Sequence, residues 1–447
     1  MTPLITVIGA GLAGAEAAYQ IARRGLAVRL FEMRPAKPTP AHKTANFAEL
    51  VCSNSLKSAR PDSATGLLQA ELRRLDSLLL RTADEAALPG GQALVVDRDV
   101  FGALVTEKLL ANPLIEVVRE EVTCLPKGPE LRLVASGPLT SDALSQAISQ
   151  LAGQDHLYFY DAVAPIVTRD SVDETQTFWA SRYGLGSADS YLNCPLTREE
   201  YEAFYQTLMN SEQANLHDFD RKAFFEGCLP IEEIARRGPN VLAFGPMKPT
   251  GLVDPTTGRR PYAVIQLRPE NADGSLLNLV GFQTALKWGE QDRLVRLIPA
   301  LRNAEIVRYG VMHRNTYLHS PGRLRASLNW LEDETLFFAG QIVGVEGYLE
   351  SIATGLLAGL NVARLAQGLS VTVPPPETML GALVHYVEHG MERSKGFPPM
   401  NANLGILPMP EGVRQRKVQL REAKVERAQK ALAEWATRLE EESVLAR

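Results

Sequence analysis

The first 32 residues of the chain write three elements in their apolar and polar pattern. Leu4–Ile8 is a continuous apolar run, Leu12–Arg24 is alanine-rich with helical spacing, and Ala27–Phe31 (AVRLF) is a second apolar run. Short uninterrupted apolar runs predict strands covered on both faces, and a helix between two of them predicts a parallel βαβ unit. Gly25 stands between helix and second strand, where a left-handed C-cap residue is expected.

A second α/β stretch follows, with strands at Leu94–Val96, Ile115–Val118 and Leu131–Ala135 and a helix around Phe101–Leu110. The pattern changes from about Asp155, where aromatic residues and prolines become frequent (HLYFYDAVAPIV, FWASRYGLG) and loops lengthen. Leu336–Ala339 (LFFA) restores the first pattern, and a glycine-rich turn then leads to a long helix over Leu349–Ala366. Val418, Val425, Leu432 and Leu439 recur every seventh residue near the C-terminus and predict an amphipathic helix packed on the body of the protein. The fold class expected is α/β. A Rossmann-like nucleotide-binding domain is split between residues 1–154 and 321–447, with an inserted mixed α+β substrate domain at 155–320 and a C-terminal helical segment.

Gly9-Ala10-Gly11-Leu12-Ala13-Gly14 lies between the first strand and the first helix, the context that a dinucleotide fingerprint requires. Gly9 permits the tight turn, Gly11 lets the backbone approach a pyrophosphate, and Gly14 lets the helix pack on the strand. The N–H groups of Ala10 to Gly14, at the helix N-terminus, are expected to hold the phosphates. Glu32 closes the second strand about 20 residues further on, where a carboxylate accepts hydrogen bonds from a ribose hydroxyl. Both FAD and NAD use this fingerprint. The segment FFAGQIVGVEGYLES decides for FAD: a strand ending at Gly340 and Gln341, a turn through Gly344 and Gly347, and a helix starting near Glu350 resemble an arrangement that recurs in FAD enzymes of this architecture, where the helix N-terminus faces the flavin ring. Tyr348, in that turn, is placed to stack on the flavin, on a second ring or on a base.

Composition narrows the function classes. The chain has 447 residues, 45% apolar and 22% charged, with a formal net charge of −5. It is not a polycation, so a nucleic acid would need a local basic patch. Cys52, Cys124, Cys194 and Cys228 lie far apart, which excludes a zinc ribbon and argues against a disulfide scaffold. Cys124 and Cys194 read as packed thiols. Cys52 stands among Ser53, Asn54 and Ser55, poor company for a buried cysteine. His385 and His389 have the spacing of two ligands on a helix but no acidic third, so no metal is expected. No apolar run reaches the length of a membrane-spanning helix. The chain reads as a cytoplasmic protein with reduced thiols.

Several segments taken together carry a family resemblance: GAGLAGAEAA, ELVCSNSLKS, VDRDVFGALVTEKL, ASGPLTSDAL, YLNCPL, FFEGCLPIEE, FGPMKPTGLVDP and AGQIVGVEGYLES. In this order they resemble the folate- and FAD-dependent tRNA uracil-5-methyltransferases, the TrmFO family, over nearly the whole chain. The related MnmG/GidA flavoproteins, which modify wobble uridines, share the N-terminal loop and AGQI but are longer. The resemblance implies a definite reaction. The methylene carbon of 5,10-methylenetetrahydrofolate is reduced with electrons from NAD(P)H through FADH2 and placed on C5 of the tRNA uridine at position 54. It also implies two working cysteines, Cys52 and Cys228. One adds to C6 of the uracil; the other assists proton removal at C5 or holds the first in its reactive state. The sequence does not order these roles, and Cys228 is the preferred nucleophile.

Two stretches are the expected phosphate-binding surfaces for tRNA, 302–325 (Arg302, Arg308, Arg314, Arg323, Arg325) and 411–430 (Arg414, Arg416, Lys417, Arg421, Lys424, Arg427, Lys430). A solvated helix face with internal ion pairs is the competing reading of the second stretch. Without the resemblance the chain reads as a thiol-disulfide flavoreductase, a reading that lacks its closely spaced cysteine pair near the flavin. The competing functions are an NAD(P)H-dependent FAD oxidoreductase acting on small molecules, MnmG-like wobble-uridine modification, and a flavin-containing RNA-binding protein without turnover.

Overall fold

The computed structural model describes residues 5–39, 41–153, 157–162, 164–185, 190–214, 229–390, 397–410 and 417–445. Its central sheet has six strands in the order Asn329–Trp330, Asp333–Phe338, Leu131–Val134, Ile5–Ile8, Val28–Phe31, Ile115–Val118. All pair in parallel except the first two. Val7 lies opposite Leu30 on one side and Leu133 on the other. The first strand is therefore central, and its carboxyl end opens at a point where successive connections run to opposite sides, a topological switch point. The four-residue run Ile5–Ile8 is wholly buried, as a parallel strand covered by helices must be.

The chain returns to this sheet after a long excursion. It leaves by Leu157–Ala162 and comes back by Met312–Tyr317, and the two strands form an antiparallel ribbon. Between them lies a second six-stranded antiparallel sheet, in the order Phe178–Trp179, Leu192–Leu196, Ala263–Pro269, Leu276–Leu279, Ile166–Thr168, Ile306–Arg308. One buried core joins both ends of the chain, with Val7, Leu133, Phe337, Leu357 and Trp435 among its members. A second contains Cys194, Phe204, Ile265 and Leu301.

The first helix, Leu12–Ala22, lies against the long helix Tyr348–Ala366 with almost no space between backbones. A Cβ on Gly355 would stand 2.3 Å from the Ala13 carbonyl oxygen, and one on Gly359 would stand 2.7 Å from the Ala17 Cα. This crossing sets the N-terminus of the long helix beside the Gly9–Gly14 loop. The C-terminal helix Lys417–Leu445 docks through buried Val425, Ala428, Leu432 and Trp435, the face its seven-residue spacing marked. The Trp435 indole N–H donates to Thr372 Oγ1 at 3.0 Å, satisfying the polar end of a buried ring.

Two buried carboxylates cap helices elsewhere in the chain. Glu16 accepts the N–H groups of Leu78 and Leu79, and Glu71 accepts those of Met379 (2.7 Å) and Leu380 (2.9 Å). Such bonds satisfy orphan donors at a helix start. Burial nevertheless pushes the Glu71 carboxyl up to about 7, against the pull of the two N–H groups. A folded-state value above the unfolded one gives stability that is full below about pH 4.5 and lost as pH rises through 7. We expect unfolding free energy to fall by about 3 kcal/mol from this group across that window. Glu71→Gln should flatten that part of the curve, measured by urea unfolding between pH 4.5 and 8.

Candidate functional site

The carboxyl ends of the central strands open on a cavity. Gly9, Gly11, Glu32, Ser136, Gly340 and Tyr348 are among the residues that line it. Its position, at the carboxyl ends of parallel strands beside the glycine loop, suits a dinucleotide. The glycines divide the work. Gly9 has φ +98°, and a Cβ there would meet the Ala135 carbonyl oxygen at 2.6 Å. A Cβ on Gly14 would stand 1.8 Å from the Gly9 carbonyl oxygen, so this position serves the packing of helix on loop. Gly11 has an ordinary φ of −71°, and a Cβ there would meet no protein atom within 4 Å. Its bareness serves the cavity. The first turn of the Leu12–Ala22 helix carries no acidic residue, which leaves its positive end open to an anion.

Glu32 is buried at the end of the second strand. Its Oε2 accepts the Ala10 N–H at 3.1 Å, and its Oε1 accepts the Arg34 backbone N–H (3.0 Å) and Nε–H (2.9 Å). Burial raises its pKa, but the Arg34 guanidinium and the two N–H groups outweigh this and hold the carboxyl below its ordinary range. Ala10 thus departs from the expectation that all five N–H groups from Ala10 to Gly14 face phosphate. Its N–H braces the loop against Glu32, because the tight turn at Gly9 points it back to the second strand. Arg34 was not singled out from sequence, yet it also pairs with Glu49 at 3.1 Å and so links both carboxylates.

At the other end of the cavity, the Gly340 N–H donates to Thr354 Oγ1 at 2.9 Å, tying the strand end to the long helix. Gln341 lines the cavity and bonds Glu346. Gly347 has φ +123°; a side chain there would strike Glu350, which pairs with Lys57 at 3.3 Å. The helix begins at Tyr348, two residues before the expected start.

Tyr348 meets Cys52. The Cys52 sulfur is 2.9 Å from the Tyr348 Oη, and the same oxygen accepts the backbone N–H groups of Cys52 (2.9 Å) and Ser53 (3.1 Å). Burial and the adjacent Cys52 push the Tyr348 phenol well above its ordinary pKa. Cys52 is half-buried, and its chain neighbour Val51 and its partner Tyr348 line the cavity. Its loop is held from the second sheet. Arg308 donates to the Val51 carbonyl at 2.8 Å, Arg268 to Ser53 Oγ at 3.0 Å, and the Asn54 side chain to the Pro269 carbonyl at 3.0 Å. Arg98, at the start of the Arg98–Leu110 helix, reaches the Val51 carbonyl at 3.4 Å and pairs with buried Glu270. Burial raises the Glu270 pKa, opposed by Arg98, Arg268 and Arg308. Three guanidinium groups thus converge on the Cys52 loop, with Glu270 and Glu49 among the carboxylates that act on them.

The remaining sequence expectations divide. Cys228 lies outside the described residues, as do Arg414 and Arg416. Cys194 is buried, and desolvation pushes its thiol up to about 12, as befits a packed residue. Cys124 departs from the packed reading: it is exposed, in the loop between Ile115–Val118 and Leu131–Val134. Among the described residues, the basic side chains of the two stretches divide between inward bonds and the surface. Arg308 serves the Cys52 loop, Arg323 donates to the Ala152 carbonyl at 3.2 Å, and Arg325 pairs with Glu334. In the C-terminal helix, Lys424 is buried on the carbonyls of Leu404 and Leu407, and Arg427 bonds the Pro408 carbonyl. Arg302, Arg421 and Lys430 stay exposed. Charge alone could not separate these, since a guanidinium bonding a carbonyl reads like one awaiting phosphate.

The family model described as Glucose inhibited division protein A matches residues 4–370. The methylenetetrahydrofolate--tRNA-(uracil-5-)-methyltransferase TrmFO of Heliobacterium modesticaldum is 57% identical over 404 residues, 90% of this chain and 91% of that protein. The protein of the same name from Desulforudis audaxviator is 55% identical over 97% of this chain and 98% of its own. The chain belongs to the TrmFO family. It also falls within the wider family that the GidA model describes. A crystal structure of Aquifex aeolicus GidA superposes with a TM-score of 0.69 at 17% identity, covering 96% of this chain and 73% of that one, a likeness of fold. Within this TrmFO-family chain, Arg34, Arg98, Arg268 and Glu270 are among the site residues that sequence reasoning missed. Arg98 stands in the VDRDVFGALVTEKL segment, and an arginine directly after a helix-capping aspartate was the available signal.

Proposed function

We propose that the chain transfers the methylene carbon of 5,10-methylenetetrahydrofolate to C5 of a tRNA uridine, at position 54 of the T loop, as a methyl group. The observation that carries this reading is the Cys52 thiol, held 2.9 Å from the Tyr348 hydroxyl at the wall of a dinucleotide cavity. The residues that line that cavity suit FAD. The open space beside Gly11, the uncapped first helix and the Tyr348 end of the long helix offer places for pyrophosphate and ring system. Bound FAD would supply two-electron reduction of the one-carbon unit, with NAD(P)H as the electron source.

The chain's own residues supply nucleophile and proton handling. C5 of uracil is a weak carbon nucleophile until a thiolate adds to C6 and turns the ring into an enolate. A thiolate adds readily and leaves readily once the C5 proton has been removed. Cys52 and Cys228 are the two candidates for addition and for proton removal, with Cys228 preferred for addition. The arginines around the Cys52 loop favour the ionised sulfur that either task requires. The uridine must be extruded from its tertiary pairing in the T loop to reach the site.

The decisive assay incubates the purified protein with methylenetetrahydrofolate, NADH or NADPH, and a T-loop transcript. Formation of 5-methyluridine, read by nucleoside mass spectrometry and absent with a U54C transcript, is the expected result. Flavin reduction without base modification would favour the small-molecule oxidoreductase reading.

For tRNA binding, Arg414, Arg416 and Lys417 are the proposed phosphate-binding side chains. Replacing all three with alanine should lower tRNA affinity. The slope of log K against log salt should become shallower by about 1 for each phosphate no longer neutralised. An unchanged slope would return this stretch to a solvated helix face.

A further inference from the structure

We propose that Tyr348 is a positioning residue that holds Cys52 as a thiolate, with its phenol proton bonded to the sulfur. The proposal rests on the reading of Cys52 as a working thiol. It stands on the count of donors and acceptors around one oxygen. A phenol oxygen has two lone pairs and one proton. The Cys52 and Ser53 N–H groups, at 2.9 and 3.1 Å, donate to the lone pairs. The third neighbour is the Cys52 sulfur, 2.9 Å away and short for a sulfur atom. With the lone pairs engaged, the phenol meets the sulfur through its own proton, and the sulfur accepts. A thiolate accepts such a bond far better than a thiol does, and charge-assisted bonds are the short ones. The proton lost from the thiol passes to solvent, and the phenol keeps its own, consistent with a phenol pushed well above its ordinary pKa.

The charged groups around the loop work in the same direction. Arg98 and Arg308 converge on the Val51 carbonyl, and Arg268 bonds Ser53. Glu270 offsets one of these charges; Glu350 pairs with Lys57, and Glu49 with Arg34. No carboxylate among these is left to oppose a charge on sulfur.

The test is the pH dependence of Cys52 alkylation in the flavin-loaded protein. Iodoacetamide labelling is followed by peptide mass spectrometry from pH 5 to 10, with exposed Cys124 as an internal reference. Tyr348→Phe keeps the ring and removes the hydroxyl. The midpoint for Cys52 should rise by at least about one unit, so labelling at pH values below the natural midpoint slows by up to about tenfold while rates at pH 10 converge. Site-specific 3-fluorotyrosine at position 348 has a more acidic hydroxyl and keeps the geometry; it should lower the midpoint below that of the natural protein. A structural role alone would not produce opposite shifts in the two variants. An unchanged midpoint in the fluorotyrosine protein, or a lower one in Tyr348→Phe, overturns the proposal. Alkylation needs neither folate nor tRNA, so this result is independent of whether the methylation assay succeeds.

Discussion

Cys52→Ala should abolish tRNA methylation while leaving fold and flavin content intact. The loop around residue 52 is held by main-chain and neighbouring groups that alanine does not disturb. Arg308 bonds the Val51 carbonyl, Asn54 bonds the Pro269 carbonyl, and the position 52 N–H bonds the Tyr348 hydroxyl. The change removes one half-buried sulfur, so the stability cost should stay near about 1 kcal/mol. The chemistry has no substitute. Loss of a nucleophile or of its proton-handling partner costs roughly 10³-fold or more. Cys52→Ser should be nearly as inactive, because a hydroxyl does not ionise at neutral pH. The checks are 5-methyluridine formation per hour and flavin absorbance per mole of protein. Methylation within tenfold of the natural protein would remove Cys52 from the mechanism. Cys228→Ala carries the same expectation on the strength of its EGCLP segment.

Gly11→Val and Gly14→Val should fail in opposite ways. At Gly11 the backbone is ordinary, with φ −71°, and an added Cβ touches no protein atom within 4 Å. Nothing in the chain itself demands glycine there. The apoprotein should therefore fold with little change in melting temperature, yet purify colourless, because the valine side chain fills space the pyrophosphate needs. At Gly14 the added Cβ would lie 1.8 Å from the Gly9 carbonyl oxygen, a backbone atom that cannot step aside. That variant should lose about 3 kcal/mol or more from overpacking and yield little soluble protein. Full flavin occupancy in Gly11→Val would displace the pyrophosphate from this loop. A stable, yellow Gly14→Val would show that the helix can move away from it.

What the sequence determined by itself was whatever a contiguous stretch encodes. The βαβ unit, the glycine loop, the strand and helix around Gly340–Ala366 and the seven-residue stripe of the last helix are all local patterns. Each is set by backbone geometry and by the need to bury one face. The ELVCSNSLKS segment was legible as unusual because its cysteine kept polar company. Tertiary structure alone decided the partners. Cys52 and Tyr348 touch across 296 residues, and Glu71 caps a helix 308 residues away. Neither pairing leaves a periodic trace in the chain. The same holds for the basic stretches: Arg308, Lys424 and Arg427 spend their charge on backbone carbonyls. A cation's role depends on whether folding brings an acceptor within about 3 Å of it, a distance that composition and spacing do not encode.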